Sequence, residues 1–70
     1  MAHFNPELVA IMRAALEDVM ARVPAEHATT SIKAQLAEII LKTAAQGETS
    51  YDGLIIAATS QIQAILAMLN

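Results

Sequence analysis

The chain has no cysteine and no tryptophan, one phenylalanine, one tyrosine, two glycines and two prolines in 70 residues. Without cysteine, neither a disulfide framework nor a thiolate metal site can form, and a reducing cytoplasm is the simplest compartment. Gly47 and Gly53 make no phosphate-cradling loop, because the lysine and the strand that accompany one are missing. Positive charge is sparse too: four basic side chains stand against seven acidic ones, a net charge of −3. A nucleic-acid binder carries a basic stripe, whereas Arg13, Arg22, Lys33 and Lys42 are scattered among acids, so no nucleic-acid partner is expected. Residues 1–6 have no basic cluster and lead into an amphipathic segment, unlike a secretory signal. From Gly53 to Asn70 charge disappears altogether, and all eleven charged side chains lie at or before Asp52.

What is present is apolar. The hydrophobic fraction, 56 %, exceeds that of an average soluble domain. A chain of this length is one domain near the lower size at which a single core suffices, and dense burial partly offsets the small size. The periodicity predicts an all-α fold: a compact three-helix bundle with the second helix central, in one domain with helices at about residues 6–23, 31–46 and 51–69.

The second helix organises the prediction. At about 100° per residue, Gln35, Glu38, Lys42 and Gln46 fall on one narrow strip. The apolar positions Ala34, Leu36, Ala37, Ile40, Leu41 and Ala44 spread over roughly two-thirds of the circumference, against the ~100° stripe of an ordinary surface helix. Such a helix touches neighbours on two sides. Thr29, Thr30 and Ser31 offer capping hydroxyls, and Gly47 can take the left-handed conformation that closes the other end.

In the first helix, Asn5-Pro6-Glu7 supplies a cap, a proline at the first helical position and an acid near the positive end of the dipole. Leu8, Met12, Ala15, Leu16, Val19 and Val23 form its core stripe, widened by Val9 and Met20, with Ile11 at an edge. Arg13/Glu17 and Asp18/Arg22 are four apart on the outer side and suit surface ion pairs. Pro24 disfavours helix at Val23, and the connection through Ala28 has room for a single helical turn. Ser50 is the expected cap of the third helix, with Thr49 and Asp52 as a capping-box alternative. Both connections are short, as between antiparallel neighbours.

The third helix places Leu54, Ala58, Ile62, Ile65 and Leu69 on one face, with Tyr51 and Ile55 beside it. Its reverse side is neutral where charge is expected. Eighteen uncharged residues approach the length of a membrane span, but Thr59, Ser60, Gln61 and Gln63 interrupt the middle and no basic or aromatic anchors flank it, so no membrane partner is expected. Two readings remain for that side: a neutral surface of an ordinary bundle, or an interface, since contact cores are depleted of charge. On the interface reading the contact face is Ile56, Thr59, Gln63, Leu66, Ala67 and Asn70.

Chemistry-bearing residues have ordinary readings. His3 and His27 are too few and too far apart for a metal site, which wants three or four ligands in a fixed arrangement. Adjacent Glu17 and Asp18 diverge by about 100° on a helix, and Glu48 and Asp52 flank a helix start where acids suit the dipole. Lys33 lies within the apolar arc. Either its stem covers the core with the ammonium in water, or it pairs with Glu7 or with a carboxylate of a second subunit. A hydrolytic serine needs a base and an oxyanion pocket, for which three short helices leave little room. Met12, Met20 and Met68 read as gap-fillers. No catalytic residue, cofactor, metal or small-molecule ligand is expected.

Ile39-Ile40-Leu41, Ala44-Ala45, Gly47-Glu48 and Leu54, together with the Asn5-Pro6-Glu7 opening, resemble a set of short, uncharacterised all-helical proteins of alphaproteobacteria. There an apolar doublet or triplet precedes alanines, then Gly-Glu, then a capping residue opening a helix with a leucine near its start. The resemblance spans roughly residues 4–54, implies helices and implies no activity. The sequence thus leads to a small non-enzymatic interaction module that self-associates through its third helix, a homodimer being the commonest solution and a different protein partner the next. The alternative is an accessory or regulatory subunit that binds a larger protein as a monomer.

Overall fold

A computed structural model describes residues 5–68. Three helices follow one another, α1 (Pro6–Ala21), α2 (Thr30–Ala45) and α3 (Tyr51–Ala67), with a single 3-10 turn at Ala25–His27 in the first connection.

Each boundary has a local cause. The Asn5 side-chain oxygen accepts the Leu8 N–H at 2.7 Å, ahead of Pro6 at the first helical position. The end of α1 comes two residues before the apolar stripe does. Pro24 disfavours helical geometry at Val23, and the N–H groups of Arg22 and Val23 donate to the carbonyls of Val19 and Met20 at 3.0 and 3.1 Å, the three-residue bonds of a tightened last turn. Val23 nevertheless reaches the core from that turn. Of Thr29, Thr30 and Ser31 at the start of α2, Thr29 is the cap, its Oγ1 accepting the Ile32 N–H at 3.2 Å.

Gly47, at φ 108°, closes α2. Its N–H donates to the Ala44 carbonyl at 3.0 Å and that of Glu48 to Thr43 at 3.2 Å. This pair of bonds is the Schellman arrangement that a left-handed glycine permits. Ser50, rather than Thr49, caps α3 through its Oγ, which accepts the Gly53 N–H at 3.0 Å.

α2 packs against both α1 and α3, and α1 and α3 also pack directly on each other, closing a three-helix bundle. The core is Met12, Ala15, Val19 and Val23 from the first segment, Ile32, Leu36, Ile40 and Ala44 from α2, and Leu54, Ile55, Ala58 and Ile65 from α3. Leu8, Ile11, Leu16, Met20, Ile39 and Ile62 are half-buried around it. Ala15 and Ala58 are completely enclosed. Among the described residues no polar or charged side chain is buried, and the fold rests on apolar packing. Leu69, the last residue of the predicted α3 stripe, lies outside the described residues.

The wide apolar arc expected of α2 is only partly buried. The buried line of α2 is a strict step of four, Ile32, Leu36, Ile40 and Ala44. Two neighbours are packed against α2 without the wide arc being consumed: Ala34 and Ala45 are exposed, Ala37 is half-buried, and Leu41 keeps 45 % of its surface in water.

Candidate contact surfaces

The outer side of α3 is the first apolar surface left over. Ile56, Gln63 and Ala67 are exposed, and Thr59 and Leu66 are half-buried at its margin; Asn70 lies outside the described residues. Ile56 is 67 % exposed, a large value for a branched aliphatic side chain on a helix. The hydroxyls on this helix point inward in the chemical sense. Thr59 donates to the Ile55 carbonyl at 2.8 Å and Ser60 to that of Ala57 at 2.8 Å. With both donors satisfied within the helix, water can leave these hydroxyls without orphaning them.

The second surface was not legible as a site. A shallow groove of about 210 Å³ runs between α1 and α2, lined by Val9, Met12, Arg13 and Leu16 on one wall and Ala37, Ile40 and Leu41 on the other. No residue of α3 contributes to it. Its lining is apolar except for Arg13. The sequence signal that could have found it is the surplus of α2: apolar residues beyond those a single core line can bury must face something else.

Electrostatics single out Arg13. Three ion pairs form among the described residues: Arg22–Asp18 at 3.5 Å, Lys33–Glu17 at 3.6 Å and Lys42–Glu38 at 3.2 Å. Lys33 therefore reaches across to α1, half-exposed, and its partner is Glu17 rather than Glu7. That contact also corrects the expected Arg13/Glu17 pair. Glu17 is drawn to α2, and Arg13 is the one arginine or lysine for which no acidic partner is found among the described residues. Exposed pairs of this kind contribute about 0–1 kcal/mol each; their consequence here is which cation they leave over.

The corner joining α2 to α3 holds the remaining polar contacts. Glu48 turns its carboxylate over the first turn of α3, where Oε1 accepts the Ser50 N–H at 3.1 Å and the Ser50 hydroxyl at 2.8 Å. These two bonds stabilise the carboxylate and lower its pKa below the ordinary 4.5. Gly53 makes this possible, since the Glu48 carboxylate occupies the space a Cβ at that position needs. The Tyr51 hydroxyl donates to Asp18 Oδ2 at 3.0 Å, tying α3 to α1. That bond holds the phenol proton and raises the Tyr51 pKa above 10.0, with desolvation and the Asp18 charge adding to it.

No group of three or more His, Cys, Asp or Glu that could hold a metal ion occurs among the described residues, and none of their helices is long and apolar enough to cross a membrane. His27 sits half-buried at the end of the 3-10 turn, and His3 lies outside the described residues. No family model, curated protein or solved structure matches the chain.

Proposed function

We propose that this protein is a small non-enzymatic interaction module of the cytoplasm that self-associates by burying the outer side of α3. The observation that carries the reading is Ile56. It stands two-thirds exposed on a helix side with no charged residue after Asp52, beside hydroxyls already bonded within the helix. Charge depletion of this kind marks the centre of contact surfaces, and a chain this short gains from any further apolar burial.

The test is mass by light scattering over a concentration series. The mass should rise above the 7.4 kDa of one copy, and Ile56→Glu should return it to one copy, because a carboxylate buried without a partner is strongly disfavoured. Ala67→Glu, on the same side, should act in the same direction. A wild-type protein that stays a folded single copy at millimolar concentration sinks the proposal, as does an Ile56→Glu variant that assembles like wild type.

A further inference from the structure

We infer that the receptor for the outer side of α3 is the groove between α1 and α2 of a second copy, so that copies join head to tail. This rests on the self-association proposed above and assigns its geometry.

The two surfaces are complementary in shape and in charge. The groove is concave and apolar, with one cation, Arg13, at its rim. The outer side of α3 presents a protruding Ile56 and, one turn earlier, Asp52, an exposed carboxylate without an ion-pair partner among the described residues. Other charges beside the groove are already neutralised: Lys42 is paired with Glu38 and Lys33 with Glu17.

The spacing agrees as well. Asp52 and Ile56 are four residues apart, as are Val9 and Arg13, a rise of about 6 Å in each helix. Ile56 seated at the Val9 end brings Asp52 to Arg13, with the incoming α3 antiparallel to α1. A molecule cannot satisfy its own groove this way, because its α3 is packed into its own core and contributes nothing to the groove lining. The occupant must come from another copy. A two-fold pairing of α3 with α3 would leave the groove and Arg13 in water; the head-to-tail contact covers both surfaces at once. Such a heterologous contact does not close at two copies and continues into rings or short filaments.

The experiment uses two singly blocked variants. Ile56→Glu disables the donor side, and Leu41→Glu, at a position 45 % exposed, disables the groove; Arg13→Glu is a second groove variant at an exposed position that leaves the core untouched. Circular dichroism first establishes that each retains wild-type helicity. In sedimentation equilibrium, wild type is expected to grow beyond two copies with concentration. Each variant alone should bind itself at least about tenfold more weakly, and an equimolar mixture of donor-blocked and groove-blocked variants should form a dimer that stops at two. Restoration of growth by Asp52→Arg in the Arg13→Glu background is expected from the charge exchange. If Leu41→Glu and Arg13→Glu assemble as well as wild type while Ile56→Glu does not, the groove assignment is wrong and self-association through α3 stands. If wild type never exceeds one copy, both are wrong.

Discussion

Leu36 and Leu41 are five residues apart on α2, chemically identical, and should differ several-fold in what they contribute to folding. Leu36 is fully enclosed and Leu41 keeps 45 % of its surface in water. Truncating Leu36 to alanine removes three buried carbons, about 2.4 kcal/mol at ~0.8 kcal/mol each, and the cavity left behind brings the loss to about 3–4 kcal/mol. The whole stability of a 70-residue chain is about 3–10 kcal/mol, so Leu36→Ala should sit at the edge of folding. Its midpoint should fall by ~12–32 °C, at roughly 4–8 °C per kcal/mol for a domain of this size.

Leu41→Ala loses a half-hydrated side chain and leaves no closed cavity, so about 1 kcal/mol is expected, slightly reduced by the better helix propensity of alanine. Urea titration followed by far-ultraviolet circular dichroism measures both. Dilute protein must be used, so that any loss of self-association at Leu41 does not enter. Costs within about 0.5 kcal/mol of each other, well inside the difference between buried and half-exposed leucines, would refute the claim that α2 buries only its four-step line. A small cost for both would place the core elsewhere.

The corner between α2 and α3 supplies four further expectations. Gly47→Ala should destabilise by about 1–2 kcal/mol, because φ of 108° is strained for any side chain although nothing crowds the position. Gly53→Ala should instead stabilise by up to about 1 kcal/mol, since alanine suits a helix better and the group it displaces, the Glu48 carboxylate, is the end of a flexible side chain; carbon-detected titration of Glu48 should then show its pKa back near the ordinary value. In wild type the lowered Glu48 pKa means stability that is complete above pH 4.5 and is lost as pH falls through the folded-state value, so the gap between wild type and Glu48→Gln in urea melts should close on acidification. The opposite sign applies to Tyr51: its contribution is complete below pH 10.0 and is lost as pH rises through the raised value. Phenolate absorbance should accordingly titrate above 10.0 in wild type and lower in Asp18→Asn.

Local chemistry was the legible part. Asn5, Ser50 and Gly47 were readable because a cap is a contact between residues two to four apart, and the reason a given type is needed there is present in the neighbouring letters. The core stripes of α1 and α3 followed from periodicity for the same reason. What failed depends on how two helices are set against one another. Lys33 meets Glu17 rather than Glu7 because the offset between α1 and α2 depends on how the core side chains of both helices pack together, and no single helix contains that information. The Tyr51–Asp18 bond was hidden likewise. At the end of α1 two signals conflict: the stripe continues to Val23, while Pro24 disfavours helix there, and the helix stops at Ala21, two residues short of the expected bound. Breadth of apolar surface was the third difficulty. It told that α2 has more than one apolar side, and it could not tell that the second side is a groove open to water.

The amount of surface left over also bounds how any assembly must behave. Ile56 and Leu41 expose 67 % and 45 % of themselves; at about 2–3 kcal/mol for a full side chain, covering both recovers only about 2–3 kcal/mol. Lost translational and rotational freedom costs at least about 4 kcal/mol. The two residues cannot hold two copies together alone, and the contact has to recruit Val9, Leu16, Ala37 and the small residues of α3. Binding energy spread in this way has a signature distinct from a hot spot. Ile56→Ala should weaken assembly by less than about tenfold, that is under about 1.4 kcal/mol, whereas Ile56→Glu abolishes it through the uncompensated carboxylate. A loss of about a hundredfold or more with Ile56→Ala would mean that one deep pocket carries the contact, which a shallow groove between two helices does not offer.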